Sequence, residues 1–427
     1  DGDGEFGPDG DQDIIKCGGY TGNGSSTGPV IDLGFEPQWL LVKSSSFDGG
    51  PWYMVDAMRG FGSGINNAYM YANGANAEFN DYELFRNTGQ GFQPRENFGV
   101  INGSGQSYIY MAIRRGSLFP PESATEVFAI DTYGSTGDGK APALRSPFAV
   151  DMYFQTEISG TDNKRFRQRL HGNKFLYSSA NNAQSGANSS TDFAFNNGVF
   201  NYTNTLSNNY GWMWKRAPGF FDVVSYEWNG VATRNVEHNL GVPPEMYIVK
   251  NIKSTDDWYV RHSLFFGTNG SIQFNRTNAK QNSGVFTTSG TTATTFPVAN
   301  DGSVNAAGGS YIAYLFATLD GVSKVGSYTG TTAAQTIDCG FTAGARFVLI
   351  KNTSSSGGGW FVFDTERGIT TTSNDGLLYI NSTQQQYTEA YALGYNAIEP
   401  DNSGFKMTGN NNSINKNGET YIFYAIA

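Results

Sequence analysis

Two stretches of this 427-residue sequence set residues capable of acid–base chemistry at a fixed spacing. In Trp52-x-x-x-Asp56-x-x-Arg59-Gly60 and Trp360-x-x-x-Asp364-x-x-Arg367-Gly368 a carboxylate precedes a guanidinium by three residues, and Lys43 or Lys351 stands nine residues before the tryptophan. A carboxylate beside a guanidinium and an ammonium is a workable proton-transfer set. The pattern recurs twice more with its chemistry exchanged. One copy keeps Lys250 and Trp258 but has His262 for the aspartate; the other has Gln155 for the Lys, Lys164 for the Trp, Gln168 for the Asp and His171 for the Arg. A reaction centre present in every copy would not survive such exchanges, whereas an ion pair that locks a turn is replaceable at modest cost. The expectation is therefore structural, with no catalytic residue, no cofactor and no enzymatic activity.

The other reactive residue types do not assemble into a site. His171, His238 and His262 lack metal-ligand spacing. The acidic strings Asp1-Gly2-Asp3-Gly4-Glu5 and Asp9-Gly10-Asp11-Gln12-Asp13 lack the Gly and Glu positions of a calcium loop, so they read as a flexible lead-in and no metal is expected. Gly134-Ser135-Thr136-Gly137-Asp138-Gly139-Lys140 lacks the following hydroxyl and helix of a P-loop, and Gly24-Ser25-Ser26-Thr27-Gly28 lies in a turn-rich stretch rather than a nucleophile elbow. Cys17 and Cys339 occupy non-equivalent positions and read as small apolar residues, not a disulfide. Trp212, Trp214 and Trp228 are the candidates for a sugar-stacking platform. Filling of a core is the alternative for alternating aromatics such as Tyr108 and Tyr110.

The elements that must position these residues repeat with a period of about one hundred residues. A Tyr-then-Gly opening recurs at Tyr20, Tyr133, Tyr226 and Tyr328. A turn and an apolar strand follow, as in Leu33-Gly34-Phe35 and Trp39-Leu40-Leu41-Val42 before Lys43. An aromatic closing strand ends each unit: Tyr108-Ile109-Tyr110, Tyr210-Gly211-Trp212, Tyr311-Ile312-Ala313 and Tyr421-Ile422-Phe423. Short aromatic and β-branched runs between Gly, Asn, Ser and Thr clusters predict strands, and 54 glycines with 15% aromatics favour strands and turns over helices. The predicted fold is all-β, with four tandem antiparallel β-sandwich modules, jelly-roll or lectin-like, at 13–116, 126–218, 220–320 and 324–427, after an acidic Gly-rich lead-in at 1–12. The second module departs most from the pattern. The predicted structural signature is Lys43, Trp52, Asp56, Arg59, Lys250, Trp258, His262, Lys351, Trp360, Asp364 and Arg367.

A net charge of -10 and a pI near 4.9 argue against a nucleic-acid partner. No apolar run approaches the roughly 20 residues of a membrane span, so no membrane insertion is expected. No signal peptide is visible, and the sequence begins at Asp1 without Met, as a processed or excerpted chain does.

The Gly-Phe, apolar strand and Lys, the Trp-x-x-x-Asp-x-x-Arg-Gly and the closing Tyr-Ile-x-x-Ala together resemble the uncharacterised repeat modules of virion proteins from marine tailed bacteriophages. The strings Trp212-Met213-Trp214-Lys215-Arg216-Ala217-Pro218-Gly219-Phe220-Phe221-Asp222 and Cys339-Gly340-Phe341-Thr342-Ala343-Gly344-Ala345-Arg346-Phe347 are similar to that family's. The resemblance spans nearly the whole chain and implies a non-enzymatic virion protein: a tail fibre or adhesin attaching to host-surface glycan, or a capsid-surface decoration or head fibre. Its implied partners are other virion proteins and further copies of itself. A secreted polysaccharide-binding or depolymerising protein is the competing expectation; a depolymerase would expose two carboxylates in a cleft.

Overall fold

The computed structural model describes residues 6–132, 141–186, 193–199, 209–372, 375–393, 396–409 and 413–427. The acidic string from Asp1 to Glu5, the opening Tyr133, the P-loop-like string at 134–140 and the Asn-rich 410–412 lie outside the described residues. Among the described residues the chain is all-β. Among those residues helix is confined to Glu389–Ala392 and three single 3-10 turns, and none is long and apolar enough to cross a membrane.

Four antiparallel sheets dominate, and all four share one strand order: opening, closing, lysine, tryptophan, fourth. In the first these strands are Ile15–Thr21, Ser107–Arg114, Pro37–Ser44, Tyr53–Asp56 and Tyr69–Tyr71. In the second they are Phe128–Thr132, Asn209–Trp214, Met152–Glu157, Arg165–Gln168 and Phe175–Tyr177. The third uses Phe221–Glu227, Ser310–Phe316, Met246–Asn251, Tyr259–His262 and Gly270–Gln273, with Gln281–Asn282 at its edge. The fourth uses Ser323–Thr329, Thr420–Ile426, Phe347–Asn352, Trp360–Asp364 and Gly376–Tyr379, with Tyr387–Thr388 at its edge. Each large sheet is accompanied by a smaller one of two or three strands, such as Arg234–Glu237 with Thr295–Val298.

The register is shared as well as the order. Trp39 pairs with Asp56, Met152 with Gln168, Met246 with His262 and Phe347 with Asp364. Four residues on, Lys43, Lys250 and Lys351 lie opposite Ile109, Ile312 and Ile422. In the second sheet that slot belongs to Thr156, opposite Tyr210, and not to Gln155 as the sequence suggested. The first polar residue of that strand comes one position early because Gln155 faces the sheet's own interior, where its amide donates to Asn209 Oδ1 at 3.1 Å. Counting to the first polar residue therefore misplaces the slot by one.

Side-chain alternation assigns the two faces of each sheet to different cores. In the fourth sheet Val348, Ile350, Tyr421, Phe423 and Ala425 face the smaller sheet and form one core with Ile337, Phe405 and Met407. Their alternates Phe347, Leu349, Ile422, Tyr424 and Ile426 enter a second core on the opposite face. The second and third sheets behave alike: Phe154, Phe166 and Trp212, and Ile248, Val260 and Tyr314, join that same second core. Strands buried on both faces read as unbroken apolar runs, which is why the closing strands of the third and fourth sheets carry so little polarity. The first sheet differs. Leu40, Val42, Tyr108, Tyr110 and Ala112 fill its own core, but its other face is half-buried or exposed.

Candidate functional site

The Asp-x-x-Arg-Gly segments are turns at the end of the tryptophan strand. The Asp364 carboxylate accepts from the Arg367 backbone N–H at 3.0 Å and from Arg367 Nε at 2.6 Å, and Asp56 accepts the corresponding bonds from Arg59 at 3.0 and 2.9 Å. The glycine that follows has φ +106° in both turns. That is left-handed backbone, which a side chain rarely adopts, so the Arg-Gly pair has a geometric cause. In the second sheet Gln168 Nε2 and His171 Nδ1 meet at 2.8 Å across the same three-residue step, and in the third His262 Nδ1 accepts from the Leu264 N–H at 3.1 Å. Burial pushes His171 down to about 3 and His262 to about 4, so both are neutral imidazoles. The turn is kept while its chemistry changes.

The lysines close the hairpin that joins the lysine and tryptophan strands. Lys43 donates to the Gly50 carbonyl, Lys250 to those of Asn251 (2.6 Å) and Ser254 (3.0 Å), and Lys351 to those of Gly358 (2.5 Å) and Thr277 (3.2 Å). Burial lowers Lys250 and Lys351 to about 8. Satisfying loop carbonyls is what a buried ammonium can do at tolerable desolvation cost.

The tryptophans join one sheet to the next. Trp258 Nε1 donates to the carbonyls of Tyr177 at 3.0 Å and Ala180 at 3.2 Å, at the end of the second sheet's fourth strand. Trp360 Nε1 donates to the Gln273 carbonyl at 2.9 Å, the matching position of the third sheet. Lys164, in the tryptophan position of the second sheet, donates to the Gln384 carbonyl at 2.8 Å, just past the fourth strand of the fourth sheet. The fourth sheet thus grips the third, the third the second, and the second the fourth. A like contact that closes after three steps is a cyclic arrangement.

Two further sets of contacts cross the same three interfaces, the first donated in the opposite direction and the second in the same one. Backbone N–H groups of Gln184, Lys280 and Gln386 donate to the carbonyls of Ile252, Thr353 and Ile158 at 2.8, 2.9 and 2.8 Å. Tyr314 donates to Gln168 Oε1 at 2.8 Å and Trp212 Nε1 to Asp364 Oδ2 at 3.0 Å. The third such pair, Tyr424 and His262, makes no hydrogen bond of this kind. Asp364 accepts from both Arg367 and Trp212, and Arg367 stacks 5.0 Å above the Trp212 ring. A carboxylate so committed is a joint, not a free base.

Trp212 and Trp214 are not a sugar platform: Trp212 is fully buried and Trp214 is 4% exposed, because their strand forms the inside of the shared core. Trp212 stacks on Phe154 at 4.9 Å, and Trp214 packs against Phe128 and Phe347. Only Trp228, 37% exposed, remains at the surface. The two cysteines are unpaired, and burial pushes the Cys339 thiol up to about 12.

A charged cluster that the repeat pattern did not single out lies where the first three sheets meet. Arg216 Nε donates to Asp222 Oδ1 at 2.6 Å and its NH1 to Glu36 Oε1 at 2.9 Å, with all three side chains buried. Asn239 and Asn87 add donors to Glu36, and Arg115 stands 3.6 Å from both carboxylates. The signal available beforehand was the Arg and Asp flanking Ala217-Pro218-Gly219-Phe220-Phe221, with Glu36 far away in sequence.

A second cluster joins the first and third sheets: Glu227 accepts from Arg86 at 2.6 Å and Arg95 at 2.7 Å, while Arg95 lies 3.7 Å from Glu83. Burial, and then the charge of Glu227, pushes Glu83 up to about 7. A carboxyl raised in this way holds its proton in the folded chain when the unfolded chain has released it. Its contribution to stability is therefore lost as pH rises from the ordinary glutamate range through about 7. Glu83→Gln should match wild type near about pH 5 and exceed it by up to about 3 kcal/mol near about pH 8. Urea unfolding at the two pH values checks this; a gap that does not widen with pH contradicts it.

Among the described residues no group of three or more His, Cys, Asp and Glu side chains is placed to hold a metal ion. Sheet order, register and joints define an all-β protein with a sandwich-like architecture whose recurrent polar residues are engaged in turns and sheet-to-sheet contacts. The chain belongs to the family described as a domain of unknown function, DUF7483, which matches residues 12–115 and 128–427. The gap between the two matched stretches falls on the link with Pro120-Pro121. No curated protein matches the chain.

Proposed function

We propose that the chain is four tandem copies of one β-sandwich module, at 13–116, 126–218, 220–320 and 324–427, and that it serves as a non-enzymatic structural protein of a tailed-bacteriophage virion. The observation that carries this reading is the fate of the signature residues. Lys351, Trp360, Asp364 and Arg367 each spend their hydrogen bonds on a loop, a joint or a turn. Two carboxylate pairs sit around shared arginines, Glu36 and Asp222 at Arg216 and Glu83 and Glu227 at Arg95. That is how a rigid scaffold uses charge, and a glycosidase would need such a pair free and facing a cleft. Tail fibre or adhesin is the preferred placement, with capsid-surface decoration next. Attachment to glycan rests on Trp228, the one exposed aromatic of the three named from the sequence.

Immunogold labelling of washed phage particles tests the proposal. Gold on tail or capsid is the expected result. Particles without label, together with release of reducing ends from host polysaccharide that one Asp or Glu substitution abolishes, would replace it with a depolymerase.

A further inference from the structure

In three of the four sheets the face opposite the small sheet is covered, and what covers it is the same face of the other two. The first sheet carries that face too. Shared register makes Leu41 the counterpart of Ile248 and Leu349, Met54 of Val260 and Val362, and Met111 of Tyr314 and Tyr424. Trp52 is the counterpart of Trp258 and Trp360: Asn73 Oδ1 holds its backbone N–H as Asn275 and Asn381 hold theirs. Yet Trp258 and Trp360 are buried, and Trp52 is half-buried. Ile109 is 45% exposed where its counterparts Ile312 and Ile422 are buried. Met58 and Ile15 extend the apolar surface at 46% and 57% exposure. Part of the face also walls an open groove of about 770 Å³, with Trp39, Met54, Met70 and Ile113 on one side and Asp151, Arg169 and Lys215 of the same chain on the other.

Four of the chain's eight methionines, Met54, Met58, Met70 and Met111, lie on or beside this face. Unbranched methionine suits a surface that packs only after folding, and a continuous apolar surface of this kind marks an interaction site.

We propose that the first sheet's open face binds the same face of two further copies of this chain, so that three chains form a trimer about a threefold axis. The inference rests on the four-copy reading and deepens it by naming the partner. The occupant follows from the molecule itself: the surface already known to fit this face is another copy of it, and that fit is heterologous and closes at three. In the trimer the Trp52 indole N–H meets the Tyr71 carbonyl of a neighbouring copy, as Trp258 meets Tyr177, and the Glu78 N–H meets the Ser45 carbonyl, as Gln184 meets Ile252. A closed trimer leaves no copy of the face open.

Native mass spectrometry and sedimentation equilibrium on the full chain decide the matter. The expected species has three times the 46.4 kDa mass of one chain. Met54→Lys and Met111→Glu should each reduce it to single chains while the circular dichroism spectrum and unfolding midpoint of the single chain are retained. Cys17, exposed beside Met111 on the neighbouring strand, should react with a maleimide more slowly in the trimer than in Met111→Glu. A chain that stays single at micromolar concentration, a dimer, or a trimer untouched by both substitutions would overturn the proposal. Single chains whose Trp360→Ala variant still loosens three sheets would leave the four-copy reading standing.

Discussion

Arg216→Ala is expected to destabilise the folded chain by about 3–5 kcal/mol, because it strands two carboxylates rather than one. Glu36 and Asp222 come from different sheets and are both buried against the Arg216 guanidinium. Burial works against the charge on Asp222, but Arg216 and Arg115 beside it prevail and hold it below the usual carboxylate range. A depressed carboxyl contributes stability above its unfolded pKa and loses that contribution as pH falls through the folded value. The defect of Arg216→Ala should therefore narrow on acidification, as the contribution of Asp222 to the wild type is lost. Replacing all three residues, as Arg216→Met with Glu36→Gln and Asp222→Asn, should recover much of the loss, since removing a whole buried ion cluster is far less costly than halving it. Denaturant unfolding of the two variants reads both effects. A loss under about 1 kcal/mol for the single substitution would mean that the cluster does not hold the sheets together.

Trp360→Ala should cost about 3–5 kcal/mol, the usual range for a large aromatic removed from a packed core. Trp360 is 1% exposed, packs against Phe274 at 5.0 Å and donates across the joint to Gln273. Trp52→Ala, at the matching position of the first sheet, should cost no more than about 1 kcal/mol when measured in the Met111→Glu background, where chains are expected to stay single. The two tryptophans share one sequence pattern, so the contrast isolates the covering of the face from the turn itself. Equal losses would show that burial within a sheet, rather than contact between sheets, fixes the energetics.

Much of this was legible in the residues. The repeated Trp-x-x-x-Asp-x-x-Arg-Gly pointed to a locked turn, and the glycine at φ +106° after each arginine explains why that pair travels together. All-β character followed from short apolar runs and abundant turn formers. The faces were harder. Tyr210-Gly211-Trp212-Met213-Trp214 has no polar position to mark either face; Met213 packs toward the small sheet, and Tyr210, Trp212 and Trp214 enter the core shared by three sheets. Periodicity reports which side chains share a face and is silent on what that face meets. The closing strands do not reveal it: residues 108–113 are as apolar as residues 311–316, yet the first run alternates in burial and the second is buried throughout. The lysine slot at Thr156 was lost because the buried Gln155–Asn209 pair interrupts the apolar run. The Glu36–Arg216–Asp222 cluster joins residues 180 apart in sequence, a pairing no local pattern encodes.

Native-state hydrogen exchange of Trp360→Ala tests the account most directly. A core shared by three sheets predicts that this substitution in the fourth sheet lowers protection in Met152–Glu157 and Met246–Asn251 along with Phe347–Asn352. Loss of protection confined to 324–427, with the other sheets unchanged, would contradict it.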